Sequence, residues 1–312
     1  MKTRFVAVLA ALGVMAAVPY AVARATHRPP PAAAPLTATS RALRTSPVAV
    51  APGRYAGIVT DNLGAFDRAC GCHPDMAVHY PPVGGSTSMT LPRLILAAGA
   101  VPLLELEPYG VPLTSITAGR EDRWLTRYAD AVHTLGAPVF VSFGPEANGT
   151  WYSWGYRHVS PALFVAAWRH VVRVFRKAGA VNARWVWIMN VSYSHTEDIR
   201  LLWPGASFVN ILGIDGYFRR PADSFAGLFA ATIAQMRSFS TDPVLITETA
   251  ASPSAGKLHA VNQLVAGVRR YRLAGFVWFD VYQHGSYVRQ DWQLEPVPAA
   301  LAAYRNATKT LH

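Results

Sequence analysis

From residue 54 onward the chain repeats one pattern: a short apolar run rich in β-branched and aromatic residues, then a longer stretch with helical periodicity. The runs predict strands at Tyr55–Thr60, Met76–Tyr80, Val101–Glu107, Val139–Phe143, Trp185–Met189, Ile211–Tyr217, Val244–Thr247 and Gly275–Phe279. They are nearly continuously apolar rather than alternating, as expected of parallel strands covered by helices on both sides. Between them, Glu121–Leu135 spaces Trp124, Tyr128, Ala131 and Leu135 by three and four residues, a helical stripe. Ser160-Pro161 reads as an N-cap followed by proline at the first helical position, opening a helix to about Ala178 with Gly179 beyond its end. Asp223–Ser238, Lys257–Tyr271 and Pro298–Arg305 read as further helices, while PPVGGSTSMT delays the helix of the second unit.

Eight strand–helix units admit a closed barrel or a doubly wound sheet. The second would place a glycine-rich phosphate loop after an early strand, and no such motif is present. The fold expected is therefore α/β, a single (β/α)8 TIM barrel over residues 53–312.

The N-terminal residues are of another kind. Residues 1–25 join a basic start (Lys2, Arg4) to the apolar run from Phe5 to Ala23 and end in small-x-small sites, the pattern of a secretory signal peptide. An uncleaved N-terminal anchor is the alternative, since the run approaches the about 20 residues that span a bilayer. Both readings place the remainder in a secreted or cell-envelope location. Residues 26–52, rich in Pro, Ala, Thr and Ser, read as a linker.

Charged residues make up 15% of the chain and hydrophobic ones 51%, which excludes a disordered chain. Lys2, Arg4 and Arg24 carry 3 of the +11 formal charges, leaving +8 elsewhere. The basic residues are scattered without interleaved aromatics, so nucleic acid is not an expected partner. Cys70 and Cys72 could pair in an oxidising compartment, although one intervening residue strains such a bond. With so few thiols, a metal centre is not expected. No motif calls for a cofactor, and nothing bears on the oligomeric state.

Chemistry gathers at the strand ends. The fourth strand runs into GPEANGTWYSWG, and the seventh ends at Glu248. The third ends in Glu105-Leu106-Glu107, the fifth in Asn190, the sixth in Asp215-Gly216-Tyr217 and the eighth in Trp278-Phe279-Asp280. A barrel puts its catalytic face there. Glu146 and Glu248, from the fourth and seventh strands, can flank one glycosidic bond, one as proton donor and the other as nucleophile. Trp151, Tyr152, Trp154 and Trp278 supply flat apolar faces for sugar rings. Asn148 and Gly149 let the chain turn beside the acid. Asn148-Gly149-Thr150 also matches a glycosylation sequon.

The segment GPEANGTWYSWG, followed by SPALFVAAWRHVVRVFRKAGAVNARWVWIMN, resembles glycoside hydrolase family 26. The likeness covers most of residues 54–295, most strongly 138–190, with weaker matches at DGYF, LITETA and GFVWFD. It implies a β/α barrel and a retaining mechanism, with Glu146 as acid/base and Glu248 as nucleophile. It also implies that Tyr217 contacts the nucleophile and that Trp151 and Trp278 line sugar subsites. The family's mannanases carry His-Glu-Met-Asn-Gly. Here Pro145 stands for the His and Ala147 for the Met, and an Arg found shortly before that His is Phe143 or Ser142. The expectation is an exported retaining endo-β-glycanase acting on polysaccharide. The alternatives are a non-catalytic polysaccharide-binding relative and an envelope or exopolysaccharide transglycosylase.

Overall fold

The computed structural model describes residues 50–252, 254–284 and 289–311. Residues 1–25, read from the sequence as a signal peptide, and residues 26–49 of the stretch 26–52 read as a linker lie outside the described residues. Eight parallel strands close into one barrel in sequence order: β1 (Tyr55–Val59), β2 (Met76–His79), β3 (Val101–Leu106), β4 (Val139–Phe143), β5 (Ala183–Asn190), β6 (Ile211–Asp215), β7 (Val244–Thr249) and β8 (Gly275–Phe279). Closure runs through β1 and β8, paired from Tyr55↔Gly275 to Val59↔Phe279. Gly275 is required at that seam: its φ is 153° and a Cβ there would lie 1.9 Å from the Tyr55 carbonyl oxygen. The eight strands are those the apolar runs predict, with shifts at their ends.

The helices are α1 (Leu63–Cys70), α2 (Thr90–Ala97), α3 (Leu113–Thr117), α4 (Asp122–His133), α5 (Pro161–Lys177), α6 (Phe225–Arg237), α7 (Lys257–Tyr271) and α8 (Pro298–Thr310). The Ser160 hydroxyl accepts from the Leu163 N–H at 3.3 Å and so caps α5. The Phe164, Trp168, Val171, Val172 and Phe175 stripe of α5 is fully buried, and each such side chain contributes roughly 1.5–3 kcal/mol. Helices α1 and α3 are too short to show a periodic signal. Neither they nor the antiparallel hairpin Tyr282–His284 and Arg289–Asp291 follow from the sequence pattern. Cys70 and Cys72 form a disulfide at the end of α1, their Cα atoms 5.1 Å apart. Gly71 between them takes the left-handed conformation (φ 63°), which brings the two side chains together.

The central core takes Tyr55, Val59, Met76, Val78, Leu103, Phe140, Val186, Ile188, Ile211, Leu245 and Val277. All eight strands contribute, at alternate positions, so this is the barrel interior. The same alternation, carried toward the strand C-termini, replaces apolar residues by Glu105, Ser142, Asn190, Asp215 and Thr247. The interior thus changes from a packed apolar floor to a polar layer beneath the mouth.

Candidate active site

Glu146 follows β4 on the turn Gly144-Pro145-Glu146. It is a non-glycine residue with φ 55°, a conformation that costs about 1 kcal/mol or more. Three contacts over-determine it. Its N–H bonds the Ile188 carbonyl at 3.0 Å, and its own carbonyl accepts from Gly149 at 2.9 Å. Asn148 clamps the loop to β5 by donating to the Asn190 carbonyl (2.8 Å) and accepting the Asn190 N–H (2.9 Å). With Asn190 fixed, its Nδ2 meets Glu146 Oε1 at 2.5 Å, and Trp151 Nε1 donates to Oε2 at 2.6 Å.

Glu248 lies on β7, where the pairing with β6 shifts register at Asp215. The irregularity turns Glu248 to the barrel mouth, where two phenols donate to it: Tyr80 to Oε2 at 2.5 Å and Tyr217 to Oε1. Tyr217 is itself held between Phe279 (6.1 Å) and Trp292 (4.9 Å), with the Arg219 guanidinium 5.4 Å from its ring centre.

Glu146 is buried and Glu248 is partly buried, and their surroundings differ. Burial first, then the charge of Glu248, push Glu146 up to about 7, against the opposing hydrogen bonds of Asn190 and Trp151. Glu248 is also raised by burial, and the Tyr217 and Tyr80 hydroxyls hold it down. Beneath them Asp215 accepts from the Thr247 hydroxyl at 2.6 Å. Asp215 and Glu105 are both held well above the carboxylate range, chiefly by burial and then by the neighbouring carboxylates.

The sequence-predicted aromatics divide. Trp151 and Tyr152 remain half-buried at the mouth. Trp154 is 1% exposed, stacked on Tyr152 at 4.4 Å and donating to the Pro145 carbonyl at 2.9 Å. It braces the acid's turn and has no free face for a sugar. Trp278 departs from expectation in a similar way. Val277 and Phe279 take the inward positions of β8, so Trp278 points outward, is fully buried and spends its N–H on the Trp292 carbonyl at 2.9 Å. Phe279 and Trp292 stand beside Tyr217 instead. Asn148 is fully buried with its amide engaged, so it acts as a clamp and is unavailable both to a sugar and to glycosylation. Asp280 is turned to the 294–295 segment, accepting from Leu294 N–H at 2.7 Å.

The strand-end pattern marks Asn190 without giving it a role, and it does not mark Tyr80 or Trp292. Tyr80 was reachable, since it continues the inward phase of Met76 and Val78 at the end of β2. The engagement of Trp292 by Tyr217 depends on the hairpin and had no sequence signal.

A closed β/α barrel with two differently solvated carboxyls at the C-terminal ends of its strands is the architecture of a barrel glycosidase site. The family model described as glycosyl hydrolase family 26 matches residues 122–305, and the chain belongs to that family. Endoglucanase H of Acetivibrio thermocellus is 28% identical over 224 residues, covering 67% of this chain and 24% of that protein. A mannan endo-1,4-beta-mannosidase of Bacillus subtilis is 27% identical over 118 residues, 35% of this chain and 32% of the relative. The chain thus spans about a quarter to a third of the length of the curated relatives it matches. Among solved structures, the Bacillus subtilis mannanase BCman superposes with a TM-score of 0.62 at 16% identity, covering 82% of this chain and 87% of that one. The β-mannanase BoMan26A from Bacteroides ovatus gives 0.58 at 18% identity, with 83% and 87% covered. These likenesses support the barrel fold.

Proposed function

We propose that the protein is an exported retaining endo-β-glycanase that hydrolyses β-linked polysaccharide by double displacement. Glu248 attacks the anomeric carbon as the glycosidic C–O bond breaks, and Glu146 gives its proton to the departing oxygen. Water then attacks the glycosyl-enzyme ester, its proton passing to Glu146, and Glu248 is released. The observation that carries this reading is the contrast in solvation. Each carboxyl receives two donors, hydroxyls at Glu248 and N–H groups at Glu146, but Glu146 is the more deeply buried and faces the charge of Glu248. Glu146 is held up to about 7 by burial and by the charge of Glu248. The names of the relatives, an endoglucanase and a mannan endo-mannosidase, support a β-glycan substrate. Export rests on the signal-like segment at 1–25, and fractionation of the producing cells tests it.

The test is hydrolysis of a panel of β-glucans, mannans and xylans by the wild type, Glu146→Gln and Glu248→Ala. The wild type should release reducing ends from one of them, and each variant should lose turnover. Full activity in either variant would overturn the assignment. Binding without release of reducing ends would favour the non-catalytic alternative, and transfer products in place of hydrolysis the transglycosylase.

A further inference from the structure

Lys257 opens α7 and touches neither carboxyl of the pair described above. Its side chain is fully buried. The ammonium donates to the Gln293 carbonyl and pairs with Asp291 Oδ1 at 3.4 Å. That same oxygen accepts the Gln293 N–H at 2.9 Å, so the contacts enclose Trp292 from both flanks. Trp292 is itself buried, and its own hydrogen bonds return to the end of β8. Its N–H reaches the Val281 carbonyl at 3.2 Å, its indole N–H reaches Gln283 Oε1 at 2.9 Å, and its carbonyl accepts from Trp278 at 2.9 Å. Lys257 ties the same segment to α7. The Trp292 ring packs on Tyr217 with centroids 4.9 Å apart, and the Tyr217 hydroxyl donates to Glu248. A chain of contacts thus runs from a buried ammonium to the nucleophile.

Stability does not account for this ammonium. Taking an ion out of water is costly, and an apolar residue of similar volume often serves as well or better. The Asp291 side chain is 31% exposed, so water weakens its attraction for the ammonium. The first turn of a helix repels a cation, and that of α7 has no acidic residue and no side-chain cap. Burial pushes the Lys257 pKa down, with the Asp291 carboxylate opposing. What a buried charge does supply is specificity. An arrangement of the 291–293 segment that withdrew either oxygen would strand the ammonium without a partner, and that penalty holds the segment in one place.

We propose that Lys257 is a positioning residue: its buried ammonium fixes the 291–293 segment and so holds Trp292 against the tyrosine that donates to the nucleophile. The consequence for turnover rests on the glycanase reading of the cleft. The consequence for the Glu248 carboxyl does not.

The test is a cycle of Lys257→Met, Tyr217→Phe and the double variant. It reads the melting temperature, the Glu248 carboxyl by carbon NMR titration, and kcat and KM on the glycan that the wild type hydrolyses. Lys257→Met should melt within about 4 °C of the wild type. The Glu248 pKa should rise in that variant, and kcat should fall about tenfold or more while KM changes less than about threefold. In the Tyr217→Phe background the same substitution should leave the Glu248 pKa in place and change kcat less than about threefold, because the hydroxyl it acts through is gone. A larger loss of melting temperature, failure of Lys257→Met to fold, an unmoved Glu248 carboxyl, or effects that add fully to those of Tyr217→Phe would overturn the proposal. Absence of hydrolysis by the wild type, with the NMR cycle as expected, would sink the glycanase reading alone. Hydrolysis by Lys257→Met at the wild-type rate would sink the positioning role alone.

Discussion

Replacing Trp151 by Phe keeps an aromatic face beside the acid and deletes one hydrogen bond, that from Nε1 to Glu146 Oε2 at 2.6 Å. This bond favours the ionised form of Glu146, which sits at about 7 because burial and Glu248 outweigh it. A hydrogen bond to a charged group contributes about 1.5–3 kcal/mol, and one pKa unit corresponds to about 1.4 kcal/mol. Trp151 is half-buried, so water recovers part of the loss and the lower end of the range applies: a rise of about one unit. General-acid catalysis needs Glu146 protonated, so activity falls as pH rises through its pKa. The alkaline limb of kcat/KM, near 7 in the wild type, should move to about 8 in Trp151→Phe. The assay is kcat/KM for the hydrolysed glycan from pH 4 to 10. An unmoved limb, or one displaced toward acid, would refute the role given to this bond.

Tyr80→Phe removes a donor to Glu248, so the nucleophile's pKa should rise and the acid limb of kcat/KM should shift upward, read in the same pH series. Glu146→Gln tests linkage through stability. A carboxyl raised from 4.5 to about 7 contributes stability below the unfolded value and loses it as pH climbs to about 7, so the wild type should lose on the order of 3 kcal/mol relative to the variant between pH 4.5 and 7.5 in denaturant melts. Gly149→Ala places a Cβ 2.3 Å from the Trp151 ring; the ring must move, and kcat/KM should fall about tenfold or more with an alkaline shift like that of Trp151→Phe. Reduction of Cys70–Cys72, which closes a loop with a sequence separation of 2, should lower stability by only about 1–2 kcal/mol and leave kcat unchanged, as thermal melts and rates with and without reductant will show.

The barrel was legible because buried parallel strands are written as unbroken apolar runs, and Ser160-Pro161 punctuates a helix by its capping chemistry. The carboxyl pair was legible for a related reason: Glu146 and Glu248 end apolar runs where a barrel exposes function. Side-chain direction was harder. Trp154 and Trp278 have the composition of sugar platforms, yet both are enclosed, because a large ring near a strand end can face the helices as readily as the mouth. Trp278 takes the outward position because Val277 and Phe279 occupy the inward ones. Tyr80, Asn190 and Trp292 meet their partners only after distant strands come together, 168 residues apart for Tyr80 and Glu248. Spacing along the chain carries no such information.

The central claim is that Glu248 forms the covalent intermediate while Glu146 serves as the acid. Once the hydrolysed glycan is known, an activated 2-deoxy-2-fluoro glycoside of that sugar, followed by peptide mass spectrometry, reads this directly. A single glycosyl adduct on Glu248, absent from Glu248→Gln, is the predicted result. An active protein that carries the adduct on another residue, or shows inversion at the anomeric carbon, contradicts the account.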